Sequence, residues 1–308
     1  MKRVLITGIA GGQGRRVAMT LLGRHKGYQV YGVDRIAWEG RPSGVDMAIV
    51  DLRKKKFEDV IRRERPDAIV HLAFIRHFET HPAVRHEVNV NGTKRLIEFG
   101  LAHGVKQVVI CSSSYVYGAL PENPYYMDEG FPLSASRTYP EIRDLAEMDM
   151  LATAFLWQHP DVSISILRPV NVLGYHVHSA ISRSLRGEHV PTVLGFNPMM
   201  QFIHEDDLAE AIVLALERST RGVFNVVGPG AVPLKVAITE IGGTPVALPE
   251  MLVRPIIARL FRWGLYPFPP GVIDFAKYPC TLNGSNFQAA TGFRPRFSLA
   301  ETFASVRS

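Results

Sequence analysis

From its first residues the chain alternates short, continuously apolar, β-branched runs with helical patterns. Val4-Leu5-Ile6-Thr7 reads as a strand, residues 15–24 as a helix, and 29–33 and 47–51 as two more strands. A basic helix at 54–64 follows, then a strand at 68–71, a long helical pattern over 83–103, a strand at 107–112, a helix at 141–158 and a strand at 162–167. Strands without polar alternation are buried on both faces, which a parallel sheet covered by helices provides. Right-handed crossovers then predict an α/β, doubly wound parallel sheet. Beyond Arg168 the pattern loosens. Residues 204–217 and 223–227 read as one more helix and strand returning to the sheet, whereas 170–200 and 229–308 are richer in Pro, Gly and aromatic residues. The expected division is a main domain over 1–169, with 201–228 returning to it. A smaller lobe from 170–200 and 229–308 is expected over the carboxyl ends of the strands, where such sheets bind ligands.

The chain of 308 residues is 46% apolar and 21% charged, the balance of an ordinary globular protein. Its formal charge of +6 is mild and spread along the chain, so small anionic molecules are expected as partners and nucleic acid is not. The N-terminal apolar run is too short for a signal peptide, and none approaches the ~18 residues of a membrane span. Cys111 and Cys280 are too few for a disulfide framework, which makes a reducing cytoplasm the expected compartment.

Between the first strand and the first helix, Thr7-Gly8-Ile9-Ala10-Gly11-Gly12-Gln13-Gly14 places Gly8, Gly11 and Gly14 three apart. A sharp turn, close approach of a pyrophosphate, and tight packing of helix on strand each require a missing side chain. Bare N–H groups and the helix dipole then favour phosphate. Asp34 ends the next strand. A carboxylate there accepts hydrogen bonds from a ribose diol and repels a 2′-phosphate, so NAD is favoured over NADP. Arg35 and the run Arg53-Lys54-Lys55-Lys56 keep NADP as the lesser alternative, although such a run is ordinarily a solvated helix face.

With these features in place the chain resembles the extended short-chain dehydrogenase/reductases, specifically the NAD-dependent epimerase/dehydratase family, over most of its length. Asp51-Leu52 resembles that family's adenine-side element, His71-Leu72-Ala73 its motif under the cofactor, and Asn89-Val90-Asn91-Gly92-Thr93 its N-V-x-G-T helix. Ser112-Ser113-Ser114-Tyr115-Val116-Tyr117-Gly118 matches S-S-x-x-V-Y-G, Arg168-Pro169-Val170-Asn171-Val172-Leu173-Gly174 matches R-P-x-N-V-x-G, and His204-Glu205-Asp206-Asp207-Leu208-Ala209 resembles H-V-x-D-L-A. Gly292-Phe293-Arg294-Pro295 resembles a late family segment. The resemblance implies a Rossmann-type fold with a C-terminal substrate-binding lobe and a homodimer formed through the helices after Ala83 and Glu141. It implies NAD contacts at Gly8, Gly11, Gly12, Gln13, Gly14, Asp34, Arg35, Asp51, Leu52, Leu72, Ala73 and Asn89.

The family moves a hydride to or from a carbinol carbon while a tyrosine handles the proton. A phenol at its ordinary pKa of ~10 is a poor base at neutral pH, and nearby positive charge lowers that value. The tyrosine here is Tyr139, in Tyr139-Pro140-Glu141-Ile142-Arg143, with Ser113 as the orienting hydroxyl. Where the family has lysine four residues on, this chain has Arg143, and no lysine lies between Lys106 and Lys235. Arginine keeps the charge and binds ribose hydroxyls but relays no proton. Tyr139 and Arg143 are therefore expected at both the chemistry and the cofactor, and Ser113, Ser114 and Asn171 at the substrate. The alternative is a site that has kept nucleotide binding and lost turnover, a regulatory or scaffold protein.

Family members acting on nucleotide sugars carry an arginine just before H-V-x-D-L, a bidentate grip for a diphosphate. Here the stretch is Met199-Met200-Gln201-Phe202-Ile203-His204, so an apolar hydroxy or keto compound competes with a sugar nucleotide. Residues 249–272 hold an amphipathic helix, with Leu252, Val253, Ile256, Ile257, Leu260, Phe261 and Trp263 on one side and Arg254, Arg259 and Arg262 on the other at 100° per residue. It reads as a lid helix, as an apolar substrate lining, or as a face for a membrane surface. His77, His81 and His86 suggest a metal, but no Cys or acidic cluster completes a site, and none is expected.

Overall fold

The computed structural model describes residues 1–24, 27–75 and 81–307. Its first part runs β1 (Lys2–Thr7), α1 (Gly12–Leu22), β2 (Tyr28–Asp34), β3 (Val45–Ile49), α2 (Lys55–Glu64), β4 (Ala68–His71), α3 (Pro82–His86), α4 (Gly92–Ala102), β5 (Gln107–Cys111), α5 (Arg143–Gln158) and β6 (Ser163–Pro169). The second part continues with β7 (Asn171–Leu173), α6 (Ala180–Leu185), β8 (His189–Val193), β9 (Met199–His204), α7 (Glu205–Glu217), β10 (Gly222–Val226), β11 (Ala231–Pro233), α8 (Leu234–Glu240), β12 (Thr244–Leu248), α9 (Glu250–Arg262), α10 (Ser285–Thr291) and α11 (Leu299–Ala304).

Seven strands form one parallel sheet in the order β10-β6-β5-β4-β1-β2-β3. All of β4 and β5 is buried. Continuous burial of this kind requires cover on both faces. One helical group packs α1 against α7, and another joins α2, α4 and α5. Because β1 pairs with β2 on one side and β4 on the other, strand order reverses beside it. The crevice that this reversal leaves at the strand ends is the general ligand position of such sheets.

The expected strands and helices of the sheet are present, with shifts that have local causes. α1 begins at Gly12 because the glycine run is itself the helix start. The long helix over 83–103 is divided into α3 and α4 by a π-turn at Glu87–Asn91, and such single turns put an extra residue on the inner face. A 3₁₀ turn at Pro140–Ile142 delays α5 to Arg143. In α2, Phe57, Val60 and Ile61 are buried while Lys54, Lys55 and Lys56 are exposed, so the basic run is a solvated face.

A second apolar cluster lies outside the sheet, built by Leu173, Leu185, Met200, Phe202, Ile238 and Phe303 from β7, α6, β9, α8 and α11. A third and smaller one holds Ala119, Ala135, Tyr139, Ile142 and Phe275. Beneath the site, Arg168 donates Nε (3.0 Å) and Nη2 (2.6 Å) to the Asp149 carboxylate and Nη1 (2.8 Å) to Tyr117 Oη. Tyr117 Oη in turn donates to Asn225 (2.8 Å), and Ser112 Oγ donates to Asp149. This buried network joins the segment that follows β5 to α5, β6 and β10.

Candidate nucleotide and hydride-transfer site

Gly8 turns the chain with φ +74°, and its N–H donates to Val33 O (2.8 Å). A Cβ on Gly8 would lie 2.9 Å from Ala73 N, and one on Gly14 only 2.2 Å from Gly8 O. The turn exists because these side chains are missing. α1 starts with no side-chain cap and no acidic residue in its first turn, which leaves its N–H groups free for an anion. Asp34 faces the same turn. Its carboxylate accepts from Ala10 N (2.9 Å) and Arg35 N (2.7 Å), which holds it at the end of β2. The Arg35 side chain is exposed. This cradle, bare at one end and carboxylate-edged at the other, fits the pyrophosphate and ribose of a dinucleotide.

Two features of the cradle have no signal in the local sequence. The loop after β7 closes over it, so that a Cβ on Gly12 would meet His176 O at 3.0 Å. Arg186 holds that loop by donating to the carbonyls of Gly174 (2.8 Å), Tyr175 (3.2 Å) and Val177 (2.7 Å). Arg16 extends the junction by pairing with Glu205 (2.7 Å) and Asp206, and Gln13 Nε2 donates to Glu205 O (3.3 Å).

The floor rests on His71, which is fully buried. Its Nε2 lies 2.9 Å from Thr93 Oγ1, and that hydroxyl gives its proton to Asn89 O (2.6 Å). The ring must therefore donate through Nε2, which leaves Nδ1 to accept from Thr7 Oγ1 (2.7 Å). Burial holds the imidazole neutral, its pKa lowered to about 3. Thr7 Oγ1 also accepts from Leu72 N (3.3 Å), so the network sets the Leu72-Ala73 backbone against Gly8. Asn89, turned inward by the π-turn, pairs with both the N–H (2.8 Å) and the C=O (3.0 Å) of Ile75.

Tyr139 belongs to the third apolar cluster, Tyr115 packs against it, and Ser113 and Asn171 are joined to Tyr115 by hydrogen bonds. Ser113 Oγ accepts from Tyr115 N (3.2 Å) as the cap of a 3₁₀ turn, and Tyr115 Oη donates to Asn171 (3.1 Å). Phe275 lies against both tyrosine rings, at 4.4 Å from Tyr115 and 6.1 Å from Tyr139. The turn Pro270–Ala276 covers Tyr139 so closely that a Cβ on Gly271 would come within 2.7 Å of its ring. Burial raises the Tyr139 phenol well above its ordinary value, Tyr115 and Glu141 add to this, and Arg85 opposes it.

The other expected residues differ in exposure and in the partners they hold. Arg143 is exposed at the first position of α5 and makes no hydrogen bond or ion pair among the described residues. The positive charge that counters the Tyr139 shift is instead Arg85, buried and donating to Glu141 O (2.7 Å). Arg85, Asn89 and Thr93 recur every fourth residue within the buried stripe of that helix, a spacing legible in the sequence. Asp51 is paired with Arg53 (2.6 Å), whose hydrogen bonds hold its carboxyl below the usual range, and Leu52 is buried beside it. Ser114 is buried, and its carbonyl accepts from Cys280 Sγ (3.5 Å), a thiol that burial pushes up to about 12. Asn171 also donates to Gln201 O (3.0 Å). Gln201 itself is spent on both backbone groups of Leu282. His77 lies outside the described residues, His81 caps α3 and His86 faces Glu147.

A family model for the NAD dependent epimerase/dehydratase family matches residues 4–227. An uncharacterized protein of Mycobacterium tuberculosis is 27% identical over 312 residues, spanning 98% of this chain and 82% of its own. A dTDP-glucose 4,6-dehydratase of Streptomyces niveus is 27% identical over 323 residues, 97% of this chain and 90% of its own. The solved UDP-glucose 4-epimerase of Thermus thermophilus in complex with NAD superposes with a TM-score of 0.78 at 24% identity, over 99% of this chain and 97% of that one. At that identity the likeness is one of fold. Glycine turn, carboxylate, motif order and fold agree, and the chain belongs to the NAD-dependent epimerase/dehydratase family.

Proposed function

We propose that the protein binds NAD and catalyses hydride transfer at a C–O centre, with Tyr139 moving the proton and Ser113 orienting the substrate oxygen. The observation that carries this reading is the side-chain-free turn at the head of α1 facing the Asp34 carboxylate. NAD, when bound, supplies the hydride acceptor or donor. The N–H groups around Gly11, Gly12 and Gln13 hold its pyrophosphate, and Asp34 takes the adenosine ribose diol and disfavours a 2′-phosphate. Arg143 is assigned to ribose hydroxyls at the rim, and the field at Tyr139 to Arg85. Because burial favours the phenol over the tyrosinate, Tyr139 is poised to donate a proton to a carbonyl oxygen, which favours the reductive direction.

The substrate class supported best is an apolar hydroxy or keto compound. Tyr139 stands among Ala119, Ala135, Ile142 and Phe275, and Asn171 and Gln201 are engaged internally where a diphosphate would need donors. A nucleotide sugar is the second reading, favoured by the relative named as a dTDP-glucose dehydratase.

Calorimetric titration with NADH and NADPH in parallel tests the cofactor assignment. NADH is expected to bind at least about tenfold tighter, a difference of about 1.4 kcal/mol. Tighter NADPH would transfer the role to Arg35, and binding of neither would overturn the enzyme reading. Net change of NADH absorbance with an apolar ketone supports the first substrate class. Isomerised or dehydrated sugar nucleotide without net NADH change supports the second. Cofactor binding with no turnover of either class leaves the regulatory alternative.

A further inference from the structure

α9 has no buried residue. It packs on the Pro270–Ala276 turn, to which Arg254 ties it through Asp274, and Glu250 pairs with Lys277 (2.8 Å) just beyond. The apolar stripe of this helix is wider than the protein covers. Val253, Ile257, Leu260 and Phe261 are half-buried on the inner side, whereas Met251 (89% exposed), Leu252, Ile256 and Trp263 (62%) face water, with Leu265 just beyond. Arg259 and Arg262 are exposed with them, so the apolar and basic sides expected from the sequence meet along this outward edge instead of lying opposite each other. Exposed apolar residues grouped in this way mark an interaction surface.

The charges choose the occupant. The acidic groups at this helix, Glu250 and Asp274, are taken by Arg254 and Lys277. Arg259 lies over the Trp263 ring (5.7 Å), and neither Arg259 nor Arg262 has an ion pair among the described residues. A two-fold contact between copies would pair this patch with itself, and its acids, Glu250 and Asp274, are already taken and leave nothing to answer these arginines. An anionic lipid surface satisfies both features at once: the apolar side chains enter the acyl boundary, the tryptophan sits at the interface and the guanidinium groups meet the headgroups.

We propose that α9, with Trp263 and Leu265 at its end, docks this protein on an anionic membrane surface. The docked helix rests on the turn that covers Tyr139, so, given the apolar-substrate reading above, a hydroxy or keto compound carried in the bilayer meets the site from this side.

Flotation of the full chain with vesicles of phosphatidylcholine, with and without phosphatidylglycerol, tests the docking. Two arginines at the surface predict roughly thirtyfold tighter partition onto the anionic vesicles, about 2 kcal/mol, weakened by salt. Arg259→Gln with Arg262→Gln should abolish that preference. Ile256→Glu with Trp263→Glu should abolish binding while leaving Tm within a few degrees, since exposed sites contribute little to stability. The proposal is overturned if the unaltered chain floats with neither vesicle, floats equally with both, or keeps its binding in the Glu variant. A concentration-dependent dimer that the Glu variant dissolves also overturns it, in favour of a second copy. NADH titration of the same samples is independent of docking, so loss of one reading leaves the other standing.

Discussion

Tyr139 is a phenol held neutral by its surroundings, and the consequences can be measured. Tyr139→Phe should lower turnover by about 10²–10⁴-fold while NADH affinity is retained; unchanged turnover removes Tyr139 from the chemistry. Because burial holds the Tyr139 phenol well above its ordinary value, the pH–rate profile should show no alkaline limb from a phenol below about pH 10; such a limb at lower pH would show that positive charge outweighs burial at this ring. His71 gives a second test. Folded, it titrates at about 3 against an ordinary value of 6.5. Below pH ~6.5 the unfolded chain therefore gains a proton that the folded one refuses. Stability should be complete above that pH and fall as pH drops toward ~3, by up to about 1.4 kcal/mol per pH unit. Denaturant midpoints measured across that window should lose much of this slope in His71→Gln.

At the scale of elements, the site depends on helices that begin in particular ways. Gly14 lies inside α1 yet packs on the carbonyl of Gly8, and a methyl group at 2.2 Å has no room against backbone. Gly14→Ala should cost about 1–3 kcal/mol in denaturant unfolding and abolish NADH binding in calorimetry, since relief requires the helix to move off the turn. The α3–α4 helix shows a subtler dependence. Its π-turn carries Asn89, whose side chain bonds both backbone groups of Ile75.

For the whole molecule, the Arg168–Asp149 pair ties the sheet to the turn bearing Tyr115 and Tyr117. Arg168→Met leaves Asp149 buried without its partner and should destabilise the protein by about 3–5 kcal/mol in chemical denaturation. A loss below about 1 kcal/mol would show that water reaches the pair. The same long-range construction explains the covered site: Pro270–Ala276, far along the chain, closes over Tyr139, and the loop bearing His176 closes over Gly12.

The sequence by itself determined the parallel sheet, the glycine turn, its Asp34 partner and the family, because each is written in contiguous residues whose spacing has a direct backbone meaning. β4 was legible to the residue, and α2 to within one. Tertiary structure decided which cation stands beside Tyr139: the sequence points to Arg143, four residues on, whereas the fold buries Arg85 against Glu141 O and leaves Arg143 exposed. It also decided that Asn171 and Gln201 are consumed internally, and that the apolar stripe of α9 is only half covered. Those outcomes depend on which distant segments compete for the same groups, and local periodicity carries no record of that competition.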